Sequence, residues 1–143
     1  MRCLSIHQPW CYAILHQGKA VENRTWPTRY RGPLLVHASK SRASYDAQSP
    51  DIWRERYGVD LPPWDSLVKG AIIGVVELAD CVPASGEGLT DRQRDWLASH
   101  PFTEGPVCWV LKNPRAFAEP IPFRGAQGLF DVPDEVVAAA LRV

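Results

Sequence analysis

The chain has 143 residues, enough for one domain with a buried core and too few for two domains of ordinary size. Hydrophobic residues make up 45% of it and charged residues 22%, and no apolar stretch approaches the ~20 residues of a membrane span, so we expect no membrane association. The 16 Lys and Arg balance the 16 Asp and Glu, which argues against indiscriminate attraction to nucleic acid.

The positive charge is nevertheless unevenly distributed along the sequence. Residues 1–42 hold seven Lys or Arg and one acid, Glu22, whereas residues 43–143 hold nine Lys or Arg and fifteen acids. If the early cations share a surface, they would attract phosphate or another anion; the alternative is an ordinary solvated basic face.

The N-terminus and the cysteines bear on the compartment and on metal binding. MRCLSIHQPWCY lacks the apolar segment and cleavage site of a secretory signal, so we expect a cytoplasmic protein with reduced cysteines. The four cysteines are scattered and form no CxxC pair. We therefore expect buried thiols, no metal site and no cofactor.

The first part of the sequence alternates strands with one clear helix. RCLSIH predicts a short strand, and QPWCYAILHQG predicts a helix with Pro9 in its first turn and Gly18 in the left-handed position after its last. VENRTW and PLLVHA predict two strands around the loop PTRYRG. ASYDAQSPDIWRERYG and PPWDSLVK predict short helices interrupted by prolines, among them Pro50.

The later part of the sequence is richer in strands. GAIIGVVELADCV is a β-branched run whose internal Gly74 predicts a bent or bulged strand. TDRQRDWLAS predicts a helix with Thr90 as N-cap, PVCWVLKNP and EPIPFRG predict two strands, and DVPDEVVAAAL predicts a closing helix. At least five strands with helices inserted irregularly favour a small curved sheet or barrel with peripheral helices.

Three motifs in order resemble a known family. They are LSIHQPW at 4–10, GKAVENRTW at 18–26 and RGPLLVHASK at 31–40, and together they resemble the ASCH family, the relatives of the activating signal cointegrator homology domain. GAIIGVVELADCV, PVCWVL and PIPFRGAQGLF are similar to the family's later strands. The resemblance implies an α+β fold, a PUA-like curved sheet or pseudo-β-barrel with peripheral helices, as a single domain over 1–143, of a kind that commonly binds RNA.

The segment GKAVENR carries the main candidate site. Lys19 follows the first helix, and the two-residue period of a strand places Glu22, Arg24 and Trp26 on one face. A partly buried Glu22–Arg24 ion pair that fixes the barrel mouth is the structural alternative. The resemblance implies instead that these charges line a concave site, where they offer donors and an acceptor to a nucleobase or a phosphate.

Other candidates lie at neighbouring strand ends. Gln8 offers an amide, and Trp10 offers a ring for base stacking, although tryptophan is more often a core residue. His37 and Lys40 lie at the end of the PLLVHA strand and would point to opposite faces if the strand stays regular. Arg124 precedes Gly125 in a turn that could hold an anion.

A catalytic role is the second hypothesis. The resemblance includes a branch that hydrolyses N4-acetylcytidine with a lysine matching Lys19, a threonine three residues later and a separate glutamate. Glu22 occupies that threonine position and would have to activate water instead, with Glu104 or Glu77 as the separate carboxylate. A ribonuclease reaction using an acid–base pair such as His37 and Lys40 is a further alternative.

The sequence thus favours an RNA- or modified-nucleoside-binding domain with a basic cleft at the barrel mouth, centred on Lys19, Glu22 and Arg24. The alternatives are a nucleoside amidohydrolase or ribonuclease, and a protein-interaction module of the transcription-coactivator type. For that last alternative, an exposed partner surface would be supplied by three tryptophans, Trp53, Trp64 and Trp96.

Overall fold

The computed structural model describes residues 1–142, which form one six-stranded mixed sheet and five α-helices. The strands are β1 (Arg2–Ile6), β2 (Val21–Arg24), β3 (Gly32–Ala38), β4 (Ala71–Pro83), β5 (Val107–Pro122) and β6 (Leu129–Asp131). The helices are α1 (Trp10–His16), α2 (Ala43–Asp46), α3 (Pro50–Tyr57), α4 (Asp91–Ser99) and α5 (Asp134–Leu141), with a 3₁₀ turn at Trp64–Ser66.

The sheet has the order β2-β5-β4-β3-β1-β6 and curls into a half-barrel. β1 and β3 run parallel, and the other neighbours are antiparallel. The curl brings β2, at one edge, close to β1, and the Arg24 guanidinium donates a hydrogen bond of 3.1 Å across this gap to the carbonyl of Ser5. The expected α+β architecture with a curved sheet is confirmed.

Both faces of the sheet are covered by apolar packing. Leu34 and Val36 of β3 join a core that includes Ile14 of α1, whereas Leu35 between them packs on the opposite face with Val137 of α5. Successive residues of a strand point to opposite faces, so the uninterrupted apolar run in β3 is what a strand buried on both sides requires.

Gly74 allows the long strand β4 to bend against its neighbours. A Cβ at this position would lie 2.7 Å from the carbonyl oxygen of Arg115 in β5 and 2.8 Å from a methyl group of Leu15 in α1. The pairing of β4 with β5 shifts register next to it, between Ile72 and Gly74. The bent strand expected around Gly74 is therefore confirmed.

Several local expectations need correction. Pro50 begins α3 rather than interrupting a helix, because Ser49 supplies the N-cap and a proline at the first helical position loses no hydrogen bond. The two strands expected at 106–114 and 119–125 form one strand, β5, which passes through a left-handed Asn113 (φ 53°). Leu129–Asp131 adds a sixth strand paired with β1, so α5 begins only at Asp134.

Candidate functional site

Lys19, Glu22 and Arg24 form a connected network of charges. The Lys19 ammonium donates to the Glu22 carboxylate over 3.0 Å from Nζ to Oε1, and Arg24 approaches the other oxygen to 2.9 Å from Nη2 and 3.1 Å from Nε. Only 2% of the Lys19 side chain and 8% of the Glu22 side chain are exposed, against 23% for Arg24. The network therefore runs from the interior to the surface.

The local fold explains why these three residues meet. Gly18 adopts a left-handed conformation (φ 75°) that ends α1 and turns the chain into β2. Glu22 and Arg24 then share one face of β2 by the two-residue period. Lys19 folds back over the start of this strand, where its ammonium also donates to the carbonyl of Val21.

Glu22 is held as a carboxylate. Burial alone would raise the pKa of Glu22, but the charges of Lys19 and Arg24 and their hydrogen bonds outweigh it, so the pKa lies below its usual value of 4.5. Because each of its oxygens already accepts from a cation, Glu22 has the chemistry of a fixed anchor for two positive side chains.

The network lines an open cleft of about 290 Å³ whose other wall is aromatic. Trp10 lies with its ring centroid 5.6 Å from the Lys19 Nζ, within the range of a cation–π contact. Tyr57 of α3 meets Trp10 edge to face at 6.2 Å and stacks on Phe102 at 4.0 Å. The cleft thus combines charged donors and an acceptor on one side with aromatic surface on the other.

Asn23 ties the cleft to the loop that follows α4. Its side-chain amide donates to the carbonyl of Phe102, and its oxygen accepts from the backbone N–H groups of Glu104 and Gly105 at 2.9 and 2.8 Å. These three bonds fix Phe102 and Glu104 beside the network. Glu104 also pairs with Arg56 at the rim, 3.2 Å between Oε1 and Nη2.

The formal charges of the cleft balance. Lys19 and Arg24 contribute two positive charges, and Glu22 and Glu104 contribute two negative ones, with His7 as the one imidazole of the lining. The basic character that the sequence led us to expect of this cleft is therefore corrected.

Gln8 does not line the cleft, in contrast to the expectation from the sequence. Its amide nitrogen donates to the carbonyl of Val68 at 2.9 Å, and its oxygen accepts from the backbone N–H of Tyr12 at 3.1 Å. With 1% of its surface exposed, Gln8 joins α1 to the segment before β4 and has a structural role.

His37, Lys40 and Arg124 also lie outside the cleft and line a second groove, of about 880 Å³. His37 is buried, and its Nε2 is 2.7 Å from the carbonyl oxygen of Phe123, so this nitrogen carries the proton. Its Nδ1 accepts from the Ser5 hydroxyl at 2.9 Å. The condition for the opposite orientation of His37 and Lys40, a regular strand that continues through Lys40, is not met, because β3 ends at Ala38.

The remaining candidates are scattered. Glu77 is exposed on β4, where its carboxylate accepts from the Asn113 amide at 3.0 Å, outside the cleft lining. Trp53 is 1% exposed and packs in the aromatic core, so it cannot contribute to a partner surface. Trp64 is half-buried beneath Lys69 and Arg42, whereas Trp96 is 39% exposed.

Sequence reasoning missed seven residues that line the cleft. These are Ser5, Ile6, His7, Asn23, Ser44, Tyr57 and Phe102. Asn23 was within reach, because a polar side chain within a predicted strand needs a hydrogen-bond partner wherever it is buried. Tyr57 and Phe102 come from segments far apart in the chain, and no local pattern predicts that they stack.

Solved structures with the same architecture are known. The ASCH protein of Zymomonas mobilis superposes with a TM-score of 0.55 at 14% identity, covering 99% of this chain and 94% of that chain. A point variant of the same protein gives 0.54 at 16% identity, covering 99% and 96%. These matches show a common α+β, PUA-like fold.

The family model of the ASCH domain matches residues 4–121. This chain belongs to the ASCH domain family. The family as a whole is RNA-binding-like, and an ASCH domain is a candidate for RNA or protein interaction.

Curated relatives of this ASCH domain include Activating signal cointegrator 1 of Homo sapiens, 28% identical over 127 residues, and of Mus musculus, 30% identical over the same length. The alignments cover 86% of this chain and 21% of each relative, so the chain spans about a fifth of their length. Within residues 1–142, no helix has the length and apolar character needed to cross a membrane.

Proposed function

We propose that the cleft binds a nucleobase, plain or modified, presented by a nucleoside or by single-stranded RNA. The polar wall of Lys19, Glu22 and Arg24 offers hydrogen bonds to the edge of the base, and the aromatic wall offers a stacking surface to its face. Single-stranded RNA is recognised in proteins by this combination of aromatic stacking and polar contacts to base edges.

The observation that carries the proposal is the buried charge network opening on an aromatic wall. Burying an ion pair stabilises a fold little compared with apolar packing of the same volume. Stability alone therefore does not explain why two cations surround one carboxylate here, and ligand binding does. Arg24 retains an unpaired donor, since its Nη1 has no hydrogen-bond partner within residues 1–142. That donor belongs to a residue lining the cleft.

The balanced charge of the cleft supports a neutral base over an isolated phosphate. A phosphate beside Glu22 and Glu104 would meet two carboxylates as well as two cations, whereas a base presents both donors and acceptors and suits such a mixed lining. Membership of the RNA-binding-like ASCH family supports the same ligand class.

Hydrolysis of an acylated cytidine is the less favoured alternative for the same cleft. A general base needs a pKa near the working pH, but the charges and hydrogen bonds of Lys19 and Arg24 outweigh burial and lower the pKa of Glu22. Glu104 is then the carboxylate best placed for such a role. Release of acetate from N4-acetylcytidine by the intact chain, lost in Glu104→Gln, would favour hydrolysis over binding alone.

The binding proposal is tested by calorimetry with nucleosides and a short single-stranded RNA. Tyr57→Leu removes a stacking ring from a partly exposed position, and we expect it to weaken binding by ~1–3 kcal/mol. Lys19→Met removes a charge-assisted donor and should cost ~1.5–3 kcal/mol. Lys112→Ala, an exposed lysine outside the cleft, is the matched control and should bind as the unaltered chain does.

Using both Tyr57→Leu and Lys19→Met keeps a folding defect from being mistaken for a loss of binding. Lys19 is buried and its replacement can unfold the chain, whereas Tyr57 lies at the end of α3 and its variant should stay folded. Unchanged affinity in Tyr57→Leu, or no binding of any nucleoside or RNA by the intact chain, would contradict the proposal.

A further inference from the structure

The second groove has the opposite electrostatic character from the cleft. Lys40 and Arg124 line it, both are exposed, and neither has an ion-pair partner within residues 1–142. Its lining within the same residues contains no Asp or Glu. An acid-free groove with two unpaired cations attracts an anion, and it does so without the competing carboxylates of the cleft.

The wall that carries Arg124 is fixed by close packing. Gly125 lies directly against β1 and β3, because a Cβ there would be 2.8 Å from Cε1 of His37 and 3.0 Å from the Ser5 hydroxyl. On the other side of Arg124, the carbonyl of Phe123 accepts the His37 N–H. The residues that flank Arg124 are thus both held against the buried imidazole.

Lys40 packs against Gly70, which also lines the groove. Its methylene chain passes over Gly70, whose hypothetical Cβ would lie 2.6 Å from the Lys40 Cε. The backbone N–H of Gly70 donates to the carbonyl of Ala38 at 2.7 Å, which fixes the position of this glycine. The stem of Lys40 and the backbone on either side of Arg124 are therefore packed against the rest of the fold.

Ser5 lies between the cleft and the groove and lines both. Its carbonyl accepts from Arg24 of the charge network, and its hydroxyl donates to Nδ1 of His37 in the groove. The two concave surfaces are therefore neighbours across one residue of β1. A ligand with a neutral part and a linked anionic part can occupy both.

We propose that the groove binds backbone phosphates of the nucleotides that flank the base in the cleft. The preferred ligand is then single-stranded RNA of several nucleotides rather than a free nucleoside. This inference rests on the proposed function, because it assigns the base to the cleft, and it adds a phosphate-binding subsite with Lys40 and Arg124 as its contacts. Phosphate contacts by lysine and arginine release counterions and make the affinity salt-dependent.

The test compares two double variants by fluorescence anisotropy with a labelled ten-nucleotide single-stranded RNA over a salt series. Lys40→Ala with Arg124→Ala removes the groove cations. Lys112→Ala with Arg29→Ala removes one exposed lysine and one exposed arginine that line neither surface. All four positions are exposed, so both variants should fold, which circular dichroism checks.

We expect the groove variant to bind the RNA at least about tenfold more weakly at low salt, whereas the control keeps its affinity. The slope of log K against log salt should fall by about 1.4, since each phosphate contact to a single strand contributes ~0.7. Binding of the free nucleoside, measured by calorimetry, should be the same in both variants and in the intact chain.

Each other outcome overturns the inference in a recognisable way. If the two double variants had equal RNA affinity and an equal slope of log K against log salt, the phosphate subsite would be refuted. Base binding in the cleft would be unaffected by that result. Competition by inorganic phosphate or by an acidic peptide as effective as that by unlabelled RNA would assign the groove to a different anion. If the intact chain bound neither nucleosides nor RNA, the proposed function would be overturned together with the inference.

Discussion

Replacing Glu22 by glutamine probes the charge network without changing its shape. In the native chain one carboxylate oxygen lies 3.0 Å from the Lys19 Nζ and the other 2.9 Å from the Arg24 Nη2. An amide has only one oxygen, so its NH₂ group must face one of the two cations, donor against donor. Glu22→Gln therefore loses the negative charge and creates a repulsive contact.

The expected loss is large because the network is largely buried. Removing one partner of a buried pair costs ~3–5 kcal/mol. Lys19 keeps its bond to the carbonyl of Val21, and Arg24 is partly exposed, so we expect the lower end, ~3 kcal/mol. That is a substantial part of the ~5–15 kcal/mol that stabilises a typical domain.

The assay is urea unfolding followed by tryptophan fluorescence, with an exposed ion pair as control. Arg54 and Asp60 are 3.0 Å apart but 63% and 83% exposed, and Asp60→Asn should cost less than ~1 kcal/mol. If Glu22→Gln changed the free energy of unfolding no more than Asp60→Asn does, the network would not be the buried, mutually dependent unit described above.

Three other predictions concern protonation, packing and thiol reactivity. Burial, and to a lesser extent the charge of Lys19, lowers the pKa of His100 below 6.5. The folded state therefore favours the neutral ring. The stability that this preference contributes is fully present above pH 6.5 and is lost as the pH falls through the folded-state pKa. The free energy of unfolding should thus decrease on acidification below pH 6.5, and decrease less in His100→Asn. Gly74→Ala forces a Cβ to within 2.7 Å of the β5 backbone and should lower the free energy of unfolding by ~1–3 kcal/mol; an unchanged urea midpoint would contradict this. Burial raises the pKa of the Cys3 thiol to about 12, so a thiol reagent at pH 8 should label partly exposed Cys81 in the native chain and Cys3 only after denaturation.

The centre of the site was predictable because its signals are local. Gly18 marks the end of a helix, and Glu22 and Arg24 share a strand face by a simple period. The resemblance to the ASCH family added Lys19 to this group, since periodicity alone does not bring it onto the strand. These residues lie within seven positions of one another, so few long-range contacts intervene.

The remainder of the site depends on contacts that sequence patterns do not encode. Tyr57 and Phe102 stack although 44 positions separate them, and Asn23 fixes the second of them through bonds to its loop. Gln8 was assigned to the cleft for its amide, but the fold uses both ends of that amide to join α1 to the segment before β4. Lys40 was assigned to the same site for its place just after the PLLVHA strand, but the fold puts it in the second groove.

The fold shows the same division between local and distant signals. Thr90 caps α4 as expected, since the capping box with Gln93 lies within four residues. The segments PVCWVLKNP and EPIPFRG were expected as two strands, yet the pairing with β4 continues on both sides of Asn113 and Pro114. A left-handed asparagine inside a strand is recognised only once the neighbouring strand is in place.

The most direct test of base binding in the cleft is a titration of ¹⁵N-labelled protein with single-stranded RNA, followed by the NMR signals of the backbone and the indole N–H groups. We predict that shifts concentrate on the Trp10 indole and on residues 19–24, with the Trp96 indole on α4 unmoved. Shifts centred on Trp96, or no shifts at concentrations where RNA is in excess, would contradict the assignment of this cleft as an RNA-binding site.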